Sequence, residues 1–185
     1  MQHQKTVSKN SMTAKMIARA ALMGGVTFVC GLIRISVGPV PITFQTFAVL
    51  LSGLILSPGE AFFAMLLNAV LKMIFGGFAV VVSPSFGFMI AFTVAAPLLA
   101  WRTKRTGGAL APMIVDVIAA SLLLYVIGLP YMVWMLRLYA GQVMTLADAL
   151  RKGMLIFLPG DAVKAALACF IGFRLRPRLI SMTRS

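Results

Sequence analysis

The chain has 185 residues, 61% of them hydrophobic and 11% charged, and its mean hydropathy is +0.98. Soluble domains have about 45–50% apolar and about 25% charged residues, so this composition excludes a water-soluble fold. The net charge of +13 does not indicate nucleic-acid binding, because the basic residues flank apolar segments and form no patch with interleaved aromatic residues.

The apolar segments are continuous and predict membrane-spanning helices. Backbone within lipid must satisfy its own hydrogen bonds, which leaves helices or a closed barrel. A barrel strand would alternate polar and apolar residues, whereas these apolar runs extend unbroken over about 15–20 residues. We therefore predict an all-α membrane protein with six transmembrane helices in one domain at 11–176, between an N-terminal tail at 1–10 and a basic C-terminal tail at 177–185.

Turn residues and charges set the limits of the six predicted spans. In chain order the spans lie at about 11–34, 43–56, 60–75, 86–101, 109–128 and 159–174. Pro130 is predicted to stop the fifth helix, whereas Pro159 suits the first turn of the sixth, where its missing N–H costs nothing. The segment 130–158 is predicted to be a long loop with one short amphipathic helix at 145–150, capped by Thr145.

Basic residues cluster at three places that fall on one side of a six-span topology. They are Lys5, Lys9, Lys15 and Arg19 before and within the first span, Arg102, Lys104 and Arg105 after the fourth, and Arg174, Arg176, Arg178 and Arg184 after the sixth. The loop after the third span, 78–85, carries no charge. Because basic residues concentrate in cytoplasmic segments, both termini are predicted to be cytoplasmic.

Polar residues of four spans are predicted to meet at one level, in the outer third of the bundle. They are Gln45, Thr46, Asn68, Lys72, Tyr125, Asp161 and Lys164. A charge at mid-bilayer costs about 2.5–3.5 kcal/mol on insertion scales, so this cluster indicates a binding site, and its cations, donors and acceptors suit a small amphipathic anion. Asp116 is predicted to lie nearer the cytoplasmic end, outside the site.

Structural roles are the alternative for each of these residues. Asp161 can cap its helix or pair with Lys164 three residues later. Lys72 can extend towards the lipid headgroups, and Gln45 can hydrogen-bond a neighbouring helix. Tyr125 can act as an interfacial anchor.

The residues needed for catalysis or metal binding are scarce. His3 is the only histidine, and Cys30 and Cys169 are isolated in apolar stretches. A metal site and a histidine-based triad therefore lack their commonest parts, and we predict no catalytic residue, no metal and no cofactor. An intramembrane enzyme and a scaffold without a ligand are the distant alternatives.

Three stretches carry a resemblance to a known family. Segment 40–53 reads VPITFQTFAVLLSG, segment 125–130 reads YVIGLP, and segment 157–165 reads FLPGDAVKA, which fits the pattern F-x-P-G-D-x-x-K-A. In sequence, order and spacing they resemble the BioY family of biotin transporters over about 14–176.

The resemblance implies the substrate-binding S component of an energy-coupling factor (ECF) transporter, in the prokaryotic cytoplasmic membrane. Such a component captures biotin near the outer face, with Lys72 or Lys164 facing its carboxylate and Asp161 and Asn68 accepting from its ureido N–H groups. A transmembrane coupling protein and ATPase subunits would be its partners. They would hydrolyse the ATP, because this chain has no G-x-x-x-x-G-K-[ST] loop.

Small residues on the first span are where the resemblance implies docking of the coupling protein. Ala14, Ala18, Ala21 and Gly25 follow one another at spacings of three or four, and such residues let a partner helix approach closely. Packing within the chain is the alternative.

One region departs from the family. Segment 82–88 reads VSPSFGF where typical members have a Gly-rich loop, and Asn68 and Lys72 stand where many relatives have apolar or aromatic residues. A biotin precursor, or another vitamin or small carboxylate, is therefore the alternative ligand.

Overall fold

A computed structural model describes residues 14–36, 40–141 and 145–184 of the chain. Within these ranges the chain is almost entirely helical. The elements are α1 (Ala14–Leu32), β1 (Arg34–Ile35), β2 (Ile42–Thr43), α2 (Gln45–Ile55), α3 (Pro58–Gly76), a 3₁₀ turn (Phe78–Val80), α4 (Phe86–Arg105), α5 (Leu110–Ala140), α6 (Leu146–Leu150), a π-helical turn (Arg151–Leu155) and α7 (Leu158–Arg184).

The predicted helical class is confirmed, and each predicted span corresponds to one helix. Four helices, α1, α3, α4 and α5, are long and apolar enough to cross a membrane. Helix α2 is apolar but has 11 residues, and α7 carries Asp161 and Lys164 in its first turns. Residues 11–13, where the first span was predicted to begin, and the predicted tail at 1–10 lie outside the described residues.

The prediction that Pro130 stops the fifth helix was wrong. Helix α5 continues through Pro130 to Ala140, over 31 residues. Proline removes one backbone hydrogen bond, but helices in lipid tolerate it because neighbouring helices and local adjustments compensate. Helix α4 contains Pro97 in the same way, so proline is a weaker stop signal here than in a soluble protein.

Two further predictions concern the short helix at 145–150 and the end of the last helix. The short helix at 145–150 is present as α6, and its predicted cap is confirmed: the Thr145 hydroxyl accepts from the Asp148 N–H at 3.1 Å. Helix α7, which contains the predicted sixth span, continues past residue 174 to Arg184.

Helix α2 forms the centre of the bundle and packs against α7, α4 and α1. Its residues 48–54 are all buried. Glycines allow the close approach of the neighbouring helices, since a Cβ on Gly53 would lie 2.9 Å from the Ala96 carbonyl oxygen of α4, and one on Gly24 would lie 2.8 Å from the Ala64 carbonyl oxygen of α3. Small residues at helix contacts are typical of packing in lipid.

The outward faces of the helices expose large apolar side chains. They include Leu22, Val29, Val115, Val126 and Phe170. A water-soluble surface would seldom present such a continuous apolar band, and the band is what a lipid-facing surface requires.

Two opposite ends of the bundle differ in chemistry. At the first, which we call the basic end, the Arg19 Nε lies 3.6 Å from Glu60 Oε1, and the Arg102 Nε lies 2.9 Å from Asp116 Oδ1. Arg176 joins them by donating from Nη2 to the Thr103 carbonyl at 2.6 Å. The second, which we call the cavity end, holds β1, β2, the start of α2, the end of α3 and the start of α7, and a cavity opens there.

Candidate functional site

The cavity end encloses a space of about 550 Å³. This volume lies within the range of about 300–1,000 Å³ that is typical of small-molecule sites. Polar side chains on its lining are Arg34, Thr43, Gln45, Thr46, Lys72, Ser83, Ser85, Tyr125, Asp161 and Lys164. Six of the seven residues predicted to form the site are therefore brought together.

Apolar side chains form most of the remaining surface of the cavity. They include Phe28, Leu32, Val40, Phe75, Val80, Phe88, Met89, Phe92, Leu124 and Phe157. Apolar walls with a few convergent polar groups are the usual construction of a site for a small organic molecule.

Asp161 is the centre of a polar cluster on the wall that α5 and α7 form. The Lys164 Nζ donates to Asp161 Oδ1 at 2.8 Å, and the Tyr125 hydroxyl donates to Asp161 Oδ2. Lys164 is only 7% exposed, so the Asp161 carboxylate is what compensates its charge inside the bundle. The predicted pairing of Asp161 with Lys164 is thus present, and the pair faces the cavity.

A second polar chain joins the start of α2 to α3, beside the end of α1. The Lys72 Nζ donates to Gln45 Oε1 at 2.8 Å, and the Gln45 Nε2 donates to Asn68 Oδ1 at 2.8 Å. Asn68 is completely buried and does not line the cavity. Asn68 lies behind Gln45, as seen from the cavity. It was expected to contact a ligand directly, but in the structure it contacts the amide of Gln45 instead.

Gly31 provides the space for this chain. A Cβ at Gly31 would lie 2.9 Å from Gln45 Oε1 and 3.1 Å from Lys72 Cε. A Cβ at this position on α1 would therefore require the ends of the Gln45 and Lys72 side chains to shift.

Four polar residues of the lining were missed from the sequence: Arg34, Thr43, Ser83 and Ser85. The antiparallel pairing of β1 with β2 sets Arg34 opposite Thr43, and the Tyr131 hydroxyl holds the α3–α4 loop by donating to the Val81 carbonyl oxygen. Arg34 ends the first apolar segment, so in the sequence it resembles an ordinary charge that flanks a span. Its position on the lining of the cavity follows only from the pairing of β1 with β2.

Asp116 lies outside the cavity, as predicted, in its contact with Arg102 at the basic end. Ala14, Ala18 and Ala21 are exposed on α1, and Gly25 has no atom within 4 Å of the place a Cβ would occupy. These four residues therefore lie on an open face of the helix. In the described ranges no three His, Cys, Asp or Glu side chains group together as a metal site would require.

Comparison with known proteins identifies the family of this chain. The model of the BioY family matches residues 2–181. The chain belongs to the BioY family. A "Probable biotin transporter BioY" of Pyrococcus horikoshii is 31% identical over 173 residues, which are 89% of this chain and 98% of that protein. A "Probable biotin transporter BioY" of Bacillus subtilis is 31% identical over 78% of this chain and 80% of its own length.

More distant similarity extends to Rhizobium etli and to a solved structure. The "Biotin transporter BioY" of Rhizobium etli is 27% identical over 87% of this chain and 92% of its own length. A crystal structure of the S-component for biotin from an ECF-type ABC transporter superposes with a TM-score of 0.67. It has 23% sequence identity and covers 90% of this chain and 95% of that one, so the two share a fold.

Proposed function

We propose that this BioY family member captures biotin in the cavity as the S component of an ECF transporter, and that separate ATPase subunits energise release into the cytoplasm. The observation that carries the proposal is a cavity with apolar walls, one carboxylate and three cations, Arg34, Lys72 and Lys164. Biotin offers the matching groups: a ureido ring with two N–H donors, an apolar thioether ring and chain, and a carboxylate. This chain makes and breaks no bond of its ligand, so it acts as a transporter subunit and not as an enzyme.

Asp161 is the residue we assign to the ureido group. An ionised carboxylate has about four lone-pair sites, and Tyr125 and Lys164 occupy one on each oxygen. The remaining sites can accept from the ureido N–H groups. Thr46 on α2 lines the same cavity and offers a hydroxyl that can donate to or accept from the ligand.

Calorimetry of the purified full chain with biotin tests the proposal. We expect saturable binding with one site per chain, and absence of heat under conditions where the protein is folded would contradict the function. Competition with dethiobiotin, a biotin precursor, tests the alternative ligand, which is supported by the departure at Asn68 and Lys72. Tighter binding of dethiobiotin than of biotin would favour that alternative.

The topology we propose has six spans and two cytoplasmic termini, with 11–176 as the transmembrane domain between tails at 1–10 and 177–185. The arginines and lysines of the basic end support it, because such residues concentrate in cytoplasmic segments. Cysteines introduced singly at Thr106 and Ser85 in a chain lacking Cys30 and Cys169 test it. An impermeant reagent added to intact cells should label position 85 and leave position 106 unlabelled, and the reverse pattern would contradict the topology.

The open face of α1 is the surface we propose for the coupling protein. Its small residues, Ala14, Ala18, Ala21 and Gly25, would let a partner helix approach closely. Replacing Ala18 or Ala21 with Trp should prevent co-purification with the coupling protein and leave biotin binding intact, because neither residue lines the cavity. Continued association of both variants would exclude this face.

A further inference from the structure

The basic end carries more positive charge than its own carboxylates compensate. Four of its cations, on the last turn of α4 and on α7, have no carboxylate within ion-pair distance in the described ranges: Lys104, Arg105, Arg174 and Arg176. The two carboxylates of this end already lie beside Arg19 and Arg102. Because Arg176 donates to the Thr103 carbonyl oxygen, the ends of α4 and α7 are held together and their surplus charge lies on neighbouring helix ends.

Two of these arginines lie over aromatic rings. The Arg105 guanidinium carbon lies 4.0 Å from the centre of the Trp101 ring, and that of Arg174 lies 4.8 Å from the centre of the Phe170 ring. Each ring precedes its arginine by one helical turn, on a helix that runs from the cavity end to the basic end. Each guanidinium group is therefore drawn back towards the apolar band, whereas an arginine that only seeks water extends away from apolar surface.

The two guanidinium groups keep their N–H donors available. Neither Arg105 nor Arg174 donates a side-chain hydrogen bond to any other residue that the structure describes. The face of a guanidinium group stacks on an aromatic ring, and its edge presents parallel N–H donors that fit a phosphate in bidentate geometry. A charge at the border of the apolar band is stabilised by an anion there, so both groups are suited to hold one.

Apolar side chains continue the surface beside each stacked arginine. Trp101 and Leu98 are exposed on α4, and Phe170 and Phe173 are exposed on α7. A free phosphate ion gains nothing from such surface, whereas the acyl chains of a phospholipid cover it. Clusters of basic residues next to membrane helices attract anionic lipids. The combination of cations with apolar surface thus favours a lipid over a free anion.

We propose that the basic end binds anionic phospholipids, with Arg105 and Arg174 each holding a lipid phosphate against its aromatic ring. Lys104, beside Arg105 in the chain, adds a further positive charge. This ligand lies at the opposite end of the bundle from the cavity. The inference therefore goes beyond the proposed function and does not depend on it.

Quenching by lipids with brominated acyl chains tests the proposal, because the chain has two tryptophans, one at each end. Trp101 reports on the basic end, and Trp134, which contacts Tyr131, reports on the cavity end. The full chain is reconstituted as Trp134→Phe or Trp101→Phe in phosphatidylcholine vesicles. These vesicles contain either brominated phosphatidylglycerol, which is anionic, or brominated phosphatidylcholine.

Trp101 should report an affinity for phosphatidylglycerol about tenfold above that for phosphatidylcholine, and Trp134 should report little preference. Arg105→Ala should lower the preference at Trp101 about fivefold, whereas Lys15→Ala, an equal change of charge at the same end, should keep it. Both substituted residues are exposed, so the core is untouched. Phe170→Trp, in a chain with both tryptophans replaced by Phe, reports on Arg174→Ala in the same way.

Three outcomes would overturn the proposal. Equal quenching of Trp101 by the two lipids would leave the basic end to an acidic surface of a partner protein. Equal losses in Arg105→Ala and Lys15→Ala would show a general attraction of the charged end without a site. Inorganic phosphate, compared with sodium chloride at the same ionic strength, should leave the quenching unchanged, and its displacement of the brominated lipid would indicate a site for a free anion.

Discussion

At the basic end, the buried carboxylates of Glu60 and Asp116 each lie beside an arginine from a neighbouring helix. At the cavity end, Asp161 pairs with Lys164, but in the described part of the chain no carboxylate lies within ion-pair distance of Arg34 or Lys72, which also line the cavity. Charge placed in a low-dielectric region costs free energy unless it is compensated. The buried carboxylates of the basic end are therefore compensated by cations of the chain, whereas two cations of the cavity end are not, as the proposed binding of an anionic ligand requires.

Removing the ion pair of each end in turn should give the largest contrast. Asp161→Asn with Lys164→Met should lower biotin affinity at least about 100-fold, because two charge-assisted contacts near the ligand are lost. Asp116→Asn with Arg102→Met should leave affinity unchanged. Neither double variant strands a buried charge, so both should fold. Calorimetry measures the affinities, and full binding by the first variant would place the ligand away from α7.

Replacing only the carboxylate of each ion pair should lower the free energy of unfolding by different amounts at the two ends. Asp161→Ala leaves Lys164 buried and unpaired, at a cost of about 3 kcal/mol. Asp116→Ala leaves Arg102, whose side chain is 52% exposed, so the loss should be at most about 1 kcal/mol. Detergent-denaturation curves give the free energy of unfolding. Equal losses would contradict the difference in compensation between the ends.

Two glycines of α1 offer a matched test of the space beside the cavity. Gly31→Ala brings a Cβ to 2.9 Å from Gln45 Oε1, whereas Gly25→Ala meets no atom within 4 Å. The first should weaken biotin binding about tenfold, since Lys72 loses one charge-assisted contact, and the second should have no effect on binding. If Gly31→Ala bound biotin normally, the Gln45–Lys72 chain would not set the position of the cation.

The smallest expected effect concerns the loop at the cavity end. Tyr131→Phe removes the hydrogen bond to the Val81 carbonyl oxygen and should cost about 1 kcal/mol of unfolding free energy. Tyr139→Phe is the control, because Tyr139 is 63% exposed. A loss in the control as large as that in Tyr131→Phe would show that the loop is held by other contacts.

Much of the helical framework follows from hydropathy, because an apolar run in lipid has few alternatives to a helix. The depth of Gln45, Lys72, Tyr125 and Asp161 follows as well, since the direction of a span and a position along it fix a level. The sequence does not predict which side chains pack beside or behind a residue at that level. Asn68 was expected in the cavity but lies one layer behind it, because Gln45 of α2 stands between Asn68 and the cavity.

The missed residues have a different cause. Arg34 reaches the cavity through two strands of two residues each, too short for a period-two pattern to appear in the sequence. Pro130 was treated as a stop because that rule comes from helices in water. Both errors concern places where tertiary contacts override a local signal.

The shortness of α2 has a consequence for the distance that a captured molecule still has to travel. With 11 residues and a rise of about 1.5 Å per residue, the helix is about 17 Å long, little more than half of the roughly 30 Å hydrocarbon layer. Its first residue, Gln45, lines the cavity, and its last turn leads to Ser57 and Glu60 at the basic end. In the proposed topology the cavity lies in the part of the membrane that α2 does not reach, and the layer of protein between a bound molecule and the basic end would be about as thick as α2 is long.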